Sequence, residues 1–215
     1  MAQAFDFKKA DKSLYLPGLK PVLIQVPRMR FFAVDGKGNP NTAASYLEAV
    51  ALLYGLSYTV KMAKMSGATP PGYFDYVVPP LEGLWQLTDR NTAPGNLWVN
   101  KDALVWTSLI RAPDFVTAEV FEQARAQLAA KKPELDSVRA RLWDFEEGLC
   151  VQLMHLGSYD DEPASVRKIG AFLEAEGYQP DMGGERRHHE IYLSDPRRTV
   201  PEKLRTVIRH PVVKK

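Results

Sequence analysis

Two carboxylates in this chain occupy positions where a carboxylate needs a chemical reason. Glu190 lies within His188-His189-Glu190-Ile191-Tyr192-Leu193-Ser194-Asp195-Pro196, which reads as a β-strand stopped by Asp195-Pro196. Alternation puts His188, Glu190 and Tyr192 on one face, and His189, Ile191 and Leu193 on the other. A carboxylate flanked by an imidazole and a phenol in mid-strand is costly unless it faces water or a ligand cavity. Glu82 lies in Pro79-Pro80-Leu81-Glu82-Gly83-Leu84-Trp85, where the prolines fix a bend and Gly83 allows close approach. Paired carboxylates in an aromatic cavity could bind a cation. They could also activate water as a general base, because desolvation raises carboxylate proton affinity. The plainer readings are a surface strand position for Glu190 and a salt bridge or helix cap for Glu82.

The aromatic residues supply the walls for such a cavity. The chain has four Trp, nine Tyr and nine Phe, and several stand beside acids, as in Phe74-Asp75-Tyr76 and Glu82 near Trp85. Tyr and Trp clustered with carboxylates need polar partners, which a dry core does not offer. Tyr76, Trp85, Trp106, Trp143 and His188 are therefore candidate ligand-lining residues, with Tyr192 beside Glu190 as a candidate catalytic donor. Other chemistries find no support. Gly36 and Gly38 follow a strand but lack the third glycine of a dinucleotide fingerprint, and there is no phosphate loop, nucleophile elbow or zinc spacing. His188 and His189 point to opposite faces while His155 and His210 lie on other elements, so no metal or other cofactor is expected. Cys150, within Leu149-Cys150-Val151, reads as a buried small hydrophobe rather than a nucleophile.

The elements that must position these residues follow from periodicity. Strands are expected over 22–26 and 31–35, then a helix capped by Asn41 or Thr42 and running to about Lys64. Strands at 73–78 and 103–110 follow, separated by a bend at Pro79-Pro80 into Leu81–Gln86 and by a turn at Ala93-Pro94-Gly95-Asn96. The middle reads as a helix from Thr117 and a second one opened by Pro133. A strand at 148–156, a helix from Pro163, the strand of Glu190 and a last strand at 205–212 complete the order. The result is an α+β chain of two tandem, pseudo-symmetric β-α-β-β units whose antiparallel sheets meet around a central cleft. The first unit spans about 20–112, a helical linker about 113–142 and the second unit about 143–213, all within one domain of 1–215. Residues 1–20 read as a polar arm on the surface. Ile191 and Leu193 are expected to pack on the helix of 162–176, leaving Glu190, Tyr192 and His188 facing the cleft.

At 215 residues the chain can bury a substantial core, and its net charge of +2 gives no electrostatic reason to expect nucleic acid or membrane as partner. A single cysteine, no leader-like segment and no apolar run long enough to span a bilayer point to the cytoplasm. No feature of the sequence specifies an oligomeric state.

From about Gly148 to Val212 the chain resembles the GyrI-like small-molecule-binding proteins. The resemblance rests on Gly157-Ser158-Tyr159-Asp160 with Glu162-Pro163, on Glu176-Gly177-Tyr178, on His189 through Arg198, and on Pro201-Glu202-Lys203-Leu204. Pro80-Leu81-Glu82-Gly83-Leu84-Trp85 is similar to a stand-alone branch of that family, which hydrolyses cyclopropanoid DNA-alkylating compounds. The resemblance implies a tandem fold around a cleft, an acidic residue at Glu190, and a lipophilic, aromatic or cationic small-molecule ligand. It further implies water addition to a cyclopropane, with Glu190 or Glu82 as base, Tyr192 steadying the developing oxyanion, and Trp85, Trp106, Trp143 and Tyr76 holding the flat substrate. A non-catalytic binder that sequesters such compounds, and a protein-interaction module such as a gyrase inhibitor, are the competing readings. No helix-turn-helix segment accompanies the domain, which disfavours a transcription regulator.

Overall fold

The computed structural model describes residues 3–67, 69–87 and 100–215. Two short helices, α1 (Phe7–Ala10) and α2 (Lys12–Tyr15), form an N-terminal arm. Then come β1 (Val22–Lys37), α3 (Ala44–Lys61), β2 (Leu81–Leu87) and β3 (Leu104–Arg111). A connecting helix, α4 (Ala118–Lys131), leads to a second run of the same order with one short strand added. The second run is β4 (Ala140–Leu156), α5 (Glu162–Glu176), a short edge strand β5 (Tyr178–Pro180), β6 (His188–Tyr192) and β7 (Arg205–Lys214). The fold is α+β with an antiparallel sheet, as the periodicity predicts. Its strands run β4-β1-β3-β2-β6-β7-β5, and β4 also pairs with β7, so six of them close into a ring.

The junction between the two runs is the pairing of β2 with β6: Glu82↔Ile191, Gly83↔Glu190, Leu84↔His189 and Trp85↔His188. Opposed residues of an antiparallel pair share a face. Gly83, Trp85, His188 and Glu190 therefore lie on one face, and Glu82, Leu84, His189 and Ile191 on the other. Glu190 is opposed across β7 by Ile208, which packs with Val151, Leu153, Ile169 and Leu173 under α5. On the same face Phe32 stacks on Phe121 of α4, and Tyr46 of α3 lies against Trp85 and Trp106. Glu190 thus faces the helices, while Ile191 turns into the ring. The face assignment is the reverse of the one expected, because alternation separates two sets of side chains without saying which set meets the helices.

Other expectations change for local reasons. The arm is inserted rather than laid on the surface: Phe7, Leu14 and Tyr15 are buried, and Gln152 and Arg209 donate to the Ser13 and Leu14 carbonyls at 2.5 and 2.8 Å. Residues 73–78 form no strand, because their backbone bonds go to the arm (Phe5 N–H to Asp75 O, Val77 N–H to Phe5 O) and Pro79-Pro80 offers no donors. The strands expected at 22–26 and 31–35 are one long β1. Pro133 opens no helix: Val138 is 76% exposed, a single 3₁₀ turn (Ser137–Arg139) follows, and pairing with β1 claims the chain from Ala140. Thr117 caps α4 as predicted, but α3 starts after Ala43 without a side-chain cap. The turn expected at 93–96 lies outside the described residues. No described helix is long and apolar enough to cross a membrane. Cys150 is buried, and burial pushes its thiol upward, away from nucleophilic use.

Candidate functional site

The helix-facing side of β6 carries a compact polar cluster beneath an aromatic lid. His188 Nε2 lies 3.0 Å from Glu190 Oε1 and 3.0 Å from Glu162 Oε1, at the first residue of α5. His188 Nδ1 lies 2.7 Å from Nε2 of His210 on β7. All four side chains are essentially inaccessible, at 1–2% exposure. The lid is Tyr192, which accepts the Trp85 indole N–H at 3.0 Å and hydrogen-bonds Glu190. Tyr46, from the first turn of α3, packs on Trp85, and Tyr159 meets Tyr192 edge-on with ring centroids 5.8 Å apart. Tyr46, Tyr159 and Tyr192 are partly buried residues that lie between the cluster and the surface.

The electrostatics of this cluster follow from its composition. Burial alone would lower the proton affinity of His188, but Glu162 and Glu190 on either side of Nε2 override it and lift the imidazole to about 10. His188 is therefore an imidazolium that donates from both nitrogens. His210, buried beside that positive charge, is driven well below its ordinary value and accepts as a neutral ring. Burial and the neighbouring Glu162 raise Glu190 to about 7, with His188 pulling the other way. Two carboxylates against one imidazolium leave the cluster one negative charge in excess when Glu190 is ionised. Burial and Glu190 also raise Tyr192 and Tyr159, the latter to about 12, so both phenols stay protonated donors.

Glu82 belongs to a different cluster on the inner face of the ring. His189 bridges Glu82 Oε2 and Glu147 Oε2 at 3.0 Å each, and Arg209 Nη1 meets Glu147 Oε2 at 3.0 Å. Arg209 also donates to Gln152 at 3.0 Å, and the Tyr15 hydroxyl reaches Glu82 at 3.4 Å. Glu147 and Gln152 are five residues apart, so strict alternation would separate them. Gly148, with φ of +74°, supplies the left-handed step that turns both toward Arg209. Burial would raise Glu147, but His189 and Arg209 hold it down to about 2. Here two carboxylates face two cations, and the charges balance. Glu82 and Glu190 lie on opposite faces and do not share a cavity, which removes the pairing expected between them.

A family model described as the GyrI-like small molecule binding domain matches residues 19–213. The chain belongs to the GyrI-like family. No curated protein matches it. Among solved structures, this GyrI-like chain is similar to an uncharacterized conserved protein from Listeria innocua, at 47% identity and a TM-score of 0.91, covering 97% of this chain and all of that one. It is equally similar to a structure described as a hydrolase from Listeria innocua, at 47% identity and a TM-score of 0.88 over the same shares. The C-terminal domain of EcmrR shares the fold alone, at 13% identity and a TM-score of 0.52, covering 91% of this chain and 98% of that one.

Within the GyrI-like fold the sequence-predicted site residues separate. His188, Glu190, Tyr192 and Trp85 come together, and Trp106 lies beneath Tyr46 as a fully buried floor. Tyr76 is elsewhere: it packs against Phe7 and Phe74 of the arm region, and its hydroxyl donates to Ser57 O at 3.2 Å. Trp143 stacks on Phe145 under Arg141, remote in register from β6. Glu162, His210, Tyr46 and Tyr159 were not singled out as site residues from sequence. Each sits on another element, so only the fold brings them to Glu190. Glu162, His188 and Glu190 present ligand atoms within 4.8 Å of one another, a spacing that could hold a metal ion. The imidazolium Nε2–H between two carboxylates satisfies the same three atoms without one.

Gly83 keeps the lid in place. A Cβ there would lie 2.5 Å from Trp85 Nε1 and 2.8 Å from its Cε2. Gly83→Ala is expected to displace the indole from Tyr192 and cost about 1–3 kcal/mol. Urea unfolding followed by tryptophan emission would report both changes, and an unshifted emission maximum would refute the link between Gly83 and the lid.

Proposed function

We propose that this chain hydrolyses lipophilic, aromatic cyclopropanoid alkylators by adding water to the strained ring, with Glu190 as general base. The observation that carries this reading is the buried Glu190 carboxylate, raised toward neutrality beside His188 and hydrogen-bonded to Tyr192 under a cover of aromatic rings. That is the proton affinity a base needs at ordinary pH. Water's oxygen bonds to the cyclopropane methylene as the ring C–C bond breaks. The electron pair runs through the conjugated dienone to its oxygen, which takes a proton from Tyr192. Water's proton passes to Glu190. The Glu190–Tyr192 hydrogen bond then returns that proton to the Tyr192 phenolate, so the site resets with no net proton change. Tyr46 and Tyr159, both partly exposed, provide faces for a flat substrate, and Trp85 is buried behind Tyr46. The charge-balanced Glu82 is assigned to structure. The Listeria innocua structure described as a hydrolase supports an enzymatic reading at 47% identity.

The excess negative charge beneath aromatic rings also favours a second reading, a non-catalytic binder of lipophilic cations. Incubation with a cyclopropanoid alkylator followed by mass analysis separates the two. A product heavier by one water is expected. Tight binding with no such product leaves the sequestering role.

A further inference from the structure

His188 has one Nε2–H and two carboxylate oxygens, of Glu162 and Glu190, each 3.0 Å from that nitrogen. The two carboxyls also hydrogen-bond each other. Like charges at such separation, out of water, cannot both remain ionised without a large penalty. Their positions are unequal. Glu162 is the first residue of α5, followed by Pro163, where the helix dipole favours negative charge. Glu190 is in mid-strand with no helix terminus of its own. His210 closes the far side of His188 as a neutral acceptor, which fixes the imidazole with Nε2 toward the carboxylates. The remaining titratable groups facing Glu190 are phenols: Tyr192 on its own strand, Tyr46 from α3 and Tyr159 ahead of α5. None of them can neutralise a carboxylate, and the single His188 charge offsets only one of the two, so a proton that relieves the remaining repulsion resides on a carboxyl.

We propose that Glu162 is a positioning residue that shares one proton with Glu190 beside His188, holding its own charge so that Glu190 is the member that cycles between acid and carboxylate. This deepens the hydrolase reading, since it explains how a buried glutamate becomes a base that can accept and release water's proton. It also gives α5 a function: its first residue sets the chemistry of a strand from which it is distant in sequence.

The decisive measurement needs no substrate. Protein labelled with ¹³C at glutamate side-chain carboxyls is titrated by NMR, with Glu190→Gln used to assign the Glu190 signal. In the wild type that signal is expected to titrate near pH 7. In Glu162→Gln it is expected to move down by about one pH unit or more, because the like charge is gone. Glu162→Asp, which keeps the charge, is expected to restore much of the upward displacement and serves if the glutamine variant folds poorly. An unmoved Glu190 titration in Glu162→Gln would overturn the proposal. So would uptake of one Zn²⁺ per chain that abolishes the titration, since a metal would then replace the shared proton. In the hydrolase assay, the acid limb of the kcat profile should move with the NMR titration while KM stays constant. A wild type without turnover defeats the hydrolase reading alone, and the NMR result still decides the carboxyl pair.

Discussion

Glu190→Gln is expected to lower hydrolysis of a cyclopropanoid substrate by about 10²–10⁴-fold, the usual contribution of a positioned general base. Binding should change little, because glutamine keeps the shape and a hydrogen-bond acceptor for Tyr192. The same substitution carries a stability signature with a defined sign. A carboxyl whose value is raised from 4.5 to about 7 on folding favours the folded state most when protonated. Its contribution is therefore full below pH 4.5 and declines as pH rises through about 7, above which the buried charge is a standing cost. Glu190→Gln removes that cost, so the variant should unfold at higher urea concentration than the wild type at pH 8 and lose the advantage at pH 4. An inactive but more stable protein is the pattern of a site selected for chemistry over stability. Should turnover survive while stability rises, Glu190 would be a binding group and the base would lie elsewhere.

Why Glu190, His188 and Tyr192 stood out in the sequence, while Glu162 and His210 did not, follows from the range of the interactions. Alternation within six residues correctly divides His188, Glu190 and Tyr192 from His189, Ile191 and Leu193, because the β period is a property of a single strand. Which set faces the helices depends on how β4 closes the ring with β7, a pairing of segments some fifty residues apart. No local pattern carries that, and the face was assigned the wrong way round. The same limit explains Glu82. Its neighbours Gly83 and Trp85 look like cavity walls, and they are, but Glu82 itself points to His189 and Arg209 through the opposite face. Glu162 is hidden for another reason. Asp160-Asp161-Glu162-Pro163 reads as a solvated acidic helix start, which is what such residues usually are. Only the placement of α5 against β6 turns one of them inward. The order of the two runs, by contrast, was largely written in periodicity and turn residues. It failed where the inserted arm and the extended pairing of β1 with β4 supply partners from afar, and at Leu81–Leu87, where pairing with β3 and β6 makes a strand of a segment that Pro79-Pro80 marks only as a bend.

Arg209→Met should be the most destabilising single change in the inner cluster. Arg209 is 1% exposed, and its guanidinium bonds Glu147, Gln152 and the Leu14 carbonyl, tying the arm to the ring. Replacing it with an apolar chain of similar length leaves packing nearly intact but strips Glu147 of one of its two counter-charges. Breaking a buried ion pair from one side costs about 3–5 kcal/mol, since the partner is left charged and dry. The pH dependence separates this cause from lost packing. In the wild type, Glu147 is held at about 2, so its contribution is complete above 4.5 and is lost only as pH falls through about 2. Without Arg209 its value rises, and protonation near pH 4 relieves the stranded charge. The urea-unfolding difference between wild type and Arg209→Met should therefore shrink from pH 7 to pH 4, whereas a cavity or a loosened arm would cost the same at both. Glu147→Gln in the Arg209→Met background should recover part of the loss at pH 7, because the remaining charges, Glu82 and the His189 imidazolium, still balance. A double variant no more stable than Arg209→Met would show that the guanidinium acts by anchoring Leu14 and the arm, and not by neutralising Glu147.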